Sequence, residues 1–261
     1  MIARVYRVDE VGEGEAPRLS VELDGIDVEA LDGELTALFL DRSDVGPFGL
    51  LRLELDPGEV KTVLGVAPVE GRWFSLTLFG EGGLRRAQAE HAQLAERGYV
   101  SGSRGYVGDV EFLADDEDRP LEPLSASVSP GRRRAQKAIN GGVFPTGALM
   151  PVVWGRHFWW TAPPPRQVRV RDVGQAGFIT LIGRNGRPML HFDAGWPVSF
   201  NGHTAPPSSA VRKLDAPVLL SHWDWDHLHG YYVFPTLQSQ EWLVPVQRLG
   251  PGASRVAAQL H

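Results

Sequence analysis

The sequence predicts an α+β chain in which a small β-rich domain (residues 1–115) is joined by a linker (116–140) to a second domain (141–261). Three observations predict it. Runs of β-forming residues with alternate apolar positions recur through the first part of the chain, separated by Gly or Pro. An acidic, then Pro/Ser-rich, then basic stretch interrupts them and offers little apolar surface to offset the entropy of ordering. Beyond it the strands are short, and one of them ends in a loop crowded with histidine and aspartate.

In chain order, the pattern predicts strands over Arg4–Val8, Leu19–Leu23, Leu50–Leu55, Trp73–Leu78 and Tyr106–Leu113. A helix is expected over Leu84–Arg97, because Ala-Gln-Ala-Glu-His-Ala-Gln-Leu-Ala consists mainly of strong helix formers and Gly98 stops it. The linker opens on Asp115–Asp118 and carries Arg132, Arg133 and Arg134. Such a triplet is expected to be solvated or paired within the chain, with phosphate or partner binding as the alternative. Aromatic residues then concentrate at Trp154, Phe158, Trp159 and Trp160 before prolines 163–165 break the chain. Three runs follow, Gln167–Val173, Ala176–Ile182 and Pro188–Asp193, with Asn185-Gly186 as a hairpin-turn signal between the last two. A buried strand at Pro217–Leu220 leads into the His/Asp loop, and a helix, a strand near Trp242–Val246 and a terminal helix from about Gly252 complete the chain.

Composition bounds the chemistry. The 261 residues hold no cysteine, which excludes disulfides and thiolate metal sites, so a metal must be held by imidazole and carboxylate. A formal charge of −6 argues against a generally basic nucleic-acid-binding surface but leaves room for a metal to hold phosphate. No apolar run approaches a membrane span, and neither a signal peptide nor another address is evident, so a cytoplasmic location without membrane attachment is expected.

His222, Asp224, Asp226 and His227 lie within six residues, directly after an apolar strand. A strand end followed by an irregular loop can turn such positions onto one small volume. Two close carboxylates flanked by two imidazoles are costly to bury unless a cation relieves them. Trp223 and Trp225 alternate with these groups and are expected to face away, packing against the fold rather than forming a base-stacking wall. His203 and His229 are read as surface or hydrogen-bonding residues, outside the ligand set.

The segment His222-Trp223-Asp224-Trp225-Asp226-His227 resembles the His-x-His-x-Asp-His signature of metallo-β-lactamase-fold hydrolases, with Asp224 in place of the second histidine. This His-x-Asp-x-Asp-His variant is similar to that of the ComEC-like subgroup. Upstream, Asp172-Val173-Gly174-Gln175-Ala176-Gly177 resembles the subgroup's Asp-Val-Gly-Gln-Gly segment, and Asp193-Ala194-Gly195 resembles its first motif. The resemblance covers about residues 167–261. It implies the first half of an αββα sandwich, preceded by the smaller β-rich domain.

It also implies roles. His222 and Asp224 would hold one divalent metal ion, and Asp226 and His227 a second, with Asp226 also orienting the attacking water. Asp193 would support the loop as a hydrogen-bond acceptor behind the ligands. Gln175 and Gly174 would sit close to the site, Gly174 for its backbone geometry. An aspartate in place of histidine makes manganese or magnesium more competitive, with zinc still suitable. The function implied is metal-dependent hydrolysis, foremost of phosphodiesters by a nuclease; hydrolysis of a small ester, lactone or thioester, and a non-catalytic scaffold or sensor, are the alternatives.

The family's later ligands, a histidine, a bridging aspartate and a last histidine, have no match here. No aspartate follows Asp226, and only His229 and His261 remain. The expected partner is therefore the missing C-terminal half of the fold, as a separate chain or a proteolytically cleaved one. A nucleic-acid substrate and homo-oligomerisation are both compatible with this reading.

Overall fold

The computed structural model describes residues 1–12, 17–29, 45–79, 87–113, 163–208 and 211–260, together with Phe39, Asp41 and Ile139. The acidic run, the arginine triplet and the cluster Trp154–Trp160 lie outside the described residues. The chain divides into two compact units, one of residues Met1–Gly141 with Arg248–Gln259, the other centred on Gly142–Gln247.

The first unit is a closed antiparallel barrel. Its strands are β1 (Ile2–Val11), β2 (Arg18–Ile26), β3 (Phe48–Leu55), β4 (Trp73–Phe79), β5 (Ala87–Ala95) and β6 (Gly98–Leu113), in the order β1-β2-β3-β5-β6-β4, with β4 pairing back onto β1. Closure leaves no strand edge within the ring. Ala3, Val5, Val21, Leu23, Leu51, Leu53, Phe74, Leu76, Ala89 and Val107 belong to its core, together with Val60, Val63 and Leu64 of the short helix α1 (Val60–Leu64).

Where a helix is expected over 84–97, residues Ala87–Ala95 form strand β5. A register shift against β6 between Glu90 and Ala92 displaces the inward alternation, so that Ala89, Ala92 and Leu94 are buried. A β-bulge thus writes a three-residue spacing into a strand, which reads as helical in sequence. Partners on both sides, β3 and β6, override the helix propensity of alanine and glutamine.

The second unit holds one mixed sheet, ordered β11-β10-β9-β8-β7. β7 (Gln167–Val170), β8 (Ile179–Ile182) and β9 (Pro188–Phe192) are antiparallel neighbours, whereas β10 (Val218–Leu219) runs parallel to both β9 and β11 (Trp242–Leu243). The β8–β9 connection turns at Gly186, whose φ of 73° is left-handed, as the Asn-Gly pair requires. Helices α2 (Trp225–Leu228) and α3 (Gly230–Val233) are one turn each.

Among the described residues the chain is therefore mostly β, with few helices, and not the α+β, αββα sandwich that the motifs implied. A layered sandwich needs long amphipathic helices to cover its sheets. Among the described residues of the second unit, helical segments are too short for that task.

Helix α4 (Pro251–Gln259) belongs with the barrel unit. Asp24 of β2 accepts hydrogen bonds from the backbone N–H groups of Gly252 and Ala253, at 2.9 and 3.0 Å, capping its first turn. Arg255 is buried over the Phe48 ring and donates to the Asp41 carbonyl. No helix among the described residues is long and apolar enough to cross a membrane.

Candidate metal centre

The parallel pair β9 and β10 delivers two segments to the same end of the sheet: Asp193 follows β9, and Ser221 and His222 follow β10. The carboxyl ends of parallel strands are where open α/β sheets commonly place ligands. Here the backbone knits the segments together. Asp193 N–H donates to Leu219 O (2.9 Å), Ala194 N–H to His227 O (2.8 Å), Gly177 N–H to Asp226 O (3.0 Å) and Gly195 N–H to Gly177 O (2.8 Å).

Asp193 is the hub. Its φ of 57° places a non-glycine residue in the left-handed region, a conformation that aspartate tolerates better than most. From there its buried carboxylate accepts from Ser221 N–H (2.7 Å), Ser221 Oγ (2.9 Å) and His227 Nδ1 (2.8 Å). Asp193 is thus a hydrogen-bond acceptor for Ser221 and His227.

With Nδ1 donating to Asp193, the neutral His227 ring carries its lone pair at Nε2, which lies 3.7 Å from Asp226 Oδ2. His222 Nε2 lies 3.3 Å from Asp224 Oδ2, and the two imidazole centroids are 3.9 Å apart. The four loop residues are thus brought together as two imidazole–carboxylate pairs. An aspartate–histidine pair presenting Nε2 beside a second carboxylate is a donor set suited to a divalent cation. Among the described residues, no three histidine, aspartate or glutamate side chains converge on one ion-sized point as they stand.

The electrostatics agree with the donor chemistry. Burial lowers the pKa of His227, but the hydrogen bond to Asp193 and the carboxylates of Asp226, Asp193 and Asp224 outweigh it, leaving the pKa raised. The field that holds a proton there would also favour a metal cation.

Trp223 and Trp225 are both buried. Trp223 Nε1 donates to Pro245 O at 2.9 Å, and Trp225 stacks on Tyr232 at 6.3 Å. They anchor the loop, and neither is exposed as a wall for bases. His229 is buried too, with Nδ1 donating to Pro197 O at 3.2 Å, and burial pushes its pKa down to about 4. His203 is exposed in a 3-10 segment, Ser199–Thr204.

Arg171 Nε donates to Thr180 Oγ1 (2.7 Å), which shares a hydrogen bond with Nδ1 of buried His191 (3.0 Å). Burial first, and then Arg171, push the His191 pKa down to about 4; Asp215 and the Leu214 carbonyl counter this only in part.

Two residues near the loop carry no ligand signature in the sequence. Ser221 Oγ joins Asp193 to His222. Gly177, rather than Gly174, approaches the ligands: a Cβ on it would stand 3.0 Å from the His227 ring. Gly174, at φ 68°, lies against Thr204, and Gln175 N–H bonds Thr204 Oγ1 at 3.2 Å. At Gly195 a Cβ would run into the Asp226 and Gly177 backbones. Gly195→Ala is therefore expected to cost more than about 3 kcal/mol of second-unit stability, read as a loss of thermal unfolding amplitude or early proteolysis. An unchanged melting profile would contradict this packing.

Comparison with family models, with curated proteins and with solved structures finds no match to this chain.

Proposed function

We propose that the loop His222–His227 binds divalent metal and that the protein is a metal-dependent hydrolase, of the phosphodiesterase or nuclease class. The observation that carries this reading is the pair of imidazole Nε2 atoms, each facing an aspartate, with His227 locked from behind by Asp193. His222 and Asp224 would hold one ion, and Asp226 and His227 a second, with manganese, zinc and magnesium all suited to imidazole and carboxylate. A bound divalent ion would supply a water of lowered pKa and neutralise charge on a phosphoryl oxygen.

The chain's own residues supply the rest. Asp226 accepts a hydrogen bond from the attacking water and directs it. Asp193 fixes the His227 ring, while Trp223 and Trp225 hold the loop from its buried side. Each ion would draw its remaining ligands from water, substrate or a partner polypeptide. The carboxylate-rich ligand set favours hard metals and hence phosphodiester chemistry, and the resemblance to the ComEC-like loop supports the same class at the level of the loop rather than of the whole fold.

The test is metal content after desalting, followed by turnover of bis(p-nitrophenyl) phosphate and single-stranded DNA with added manganese. Hydrolysis abolished by chelator, and reduced about a hundredfold or more in Asp226→Asn, is the expected result. Turnover of p-nitrophenyl esters alone would move the assignment to the small-ester class. Failure to retain any divalent ion would overturn it.

A further inference from the structure

Ser221 sits at the junction of both imidazole–carboxylate pairs. Its Oγ lies 2.9 Å from Asp193 Oδ2, 2.8 Å from His222 Nδ1 and 3.5 Å from His227 Nδ1. One hydroxyl carries one proton, so these contacts cannot be assigned independently. The Asp193 carboxylate only accepts. If Ser221 gave its proton to His222 Nδ1, two oxygens would face each other across 2.9 Å with no hydrogen between them. The proton therefore goes to Asp193, and Oγ is left as an acceptor toward His222. His222 must then carry hydrogen on Nδ1 and a lone pair on Nε2, the atom beside Asp224.

We infer that Ser221 is a positioning residue that fixes the tautomer of His222, relaying to it the order that Asp193 imposes directly on His227. One carboxylate thereby sets both imidazoles of the loop with Nδ1–H inward and Nε2 open. Without the relay, His222 would favour the opposite tautomer, donating Nε2–H to Asp224 and closing both to a cation. The backbone contact Ser221 N–H to Asp193 Oδ1 (2.7 Å) survives loss of the hydroxyl, so the strand end stays in place while the relay is cut. The consequence for metal rests on the proposed function; the tautomer itself does not.

Nitrogen-15 imidazole spectra of the metal-free protein at alkaline pH, with histidine labelled, test this directly. In the wild type, His222 and His227 are both expected as the Nδ1–H tautomer. In Ser221→Ala, His222 shifts toward Nε2–H while His227 keeps Nδ1–H, and Ser221→Thr restores the wild-type pattern. Calorimetric titration with manganese should then show affinity lowered about 10- to 100-fold in Ser221→Ala and recovered in Ser221→Thr. Wild-type His222 found as Nε2–H, or a tautomer indifferent to Ser221→Ala in a variant that melts as the wild type does, overturns the inference. If Ser221→Ala does not fold, the wild-type spectrum alone still decides. If manganese fails to bind the wild type while the tautomers follow Ser221, the proposed function fails and the relay stands.

Discussion

Replacing Asp193 by alanine is expected to destabilise the second unit by roughly 3–5 kcal/mol, the usual cost of removing one partner from a buried charged network. The carboxylate accepts from three donors at 2.7 to 2.9 Å, two from Ser221 and one from His227. Its removal strands a backbone N–H, a hydroxyl and an imidazole N–H at once. It also puts an alanine at φ 57°, which aspartate tolerates better. Asp193→Asn separates the effects: asparagine accepts the left-handed backbone and keeps one acceptor oxygen, but its amide would oppose a second donor. It should fall between wild type and alanine in urea denaturation. In manganese titrations, both variants should bind at least about tenfold more weakly. Equal stability and affinity in all three proteins would show that the hub carries no energy.

The second large effect is on pH. His191 and His229 both have folded-state pKa values pushed down to about 4, burial being the leading cause for each. The unfolded chain titrates its histidines near the ordinary value of about 6.5, so between these limits it binds more protons than the folded chain. The contribution of these two histidines to stability is therefore complete above about pH 6.5 and falls as the pH drops toward 4. The steepest slope approaches about 2.7 kcal/mol per pH unit for the pair, and the full loss is roughly 3 kcal/mol for each histidine. Urea denaturation across this range checks it in the metal-free protein, with His229→Phe flattening the curve by about half. A stability profile level from pH 7 to pH 5 would mean that neither imidazole is buried neutral.

The loop could be read from sequence because its four ligand-type residues are contiguous and follow an apolar strand, so local geometry alone brings them together. Asp193 enters only through the resemblance of Asp193-Ala194-Gly195 to the first motif of metallo-β-lactamase-fold hydrolases. The connecting chemistry could not be read. Ser221 is one serine among many, and only the register of β9 beside β10 puts its hydroxyl between two histidines. The buried histidines 191 and 229 were indistinguishable from surface ones because burial is set by packing across the sheet. The barrel's fifth strand was hidden by a bulge that mimics helical spacing, and the layered sandwich was over-read from motifs that report a strand end and its loop, never the layers around them.

Asp24 and Gly252 are partners separated by 228 positions, and they belong to one compact unit. In chain terms the barrel is a host and residues 142–247 are its guest, held between β6 and α4. During synthesis the six strands are finished well before the helix they receive, and the Asp24 carboxylate waits without its two amides until the guest has been made. The cost of holding so long a loop closed grows only logarithmically with its length. The making of the second unit and the completion of the barrel unit are therefore linked through the chain itself.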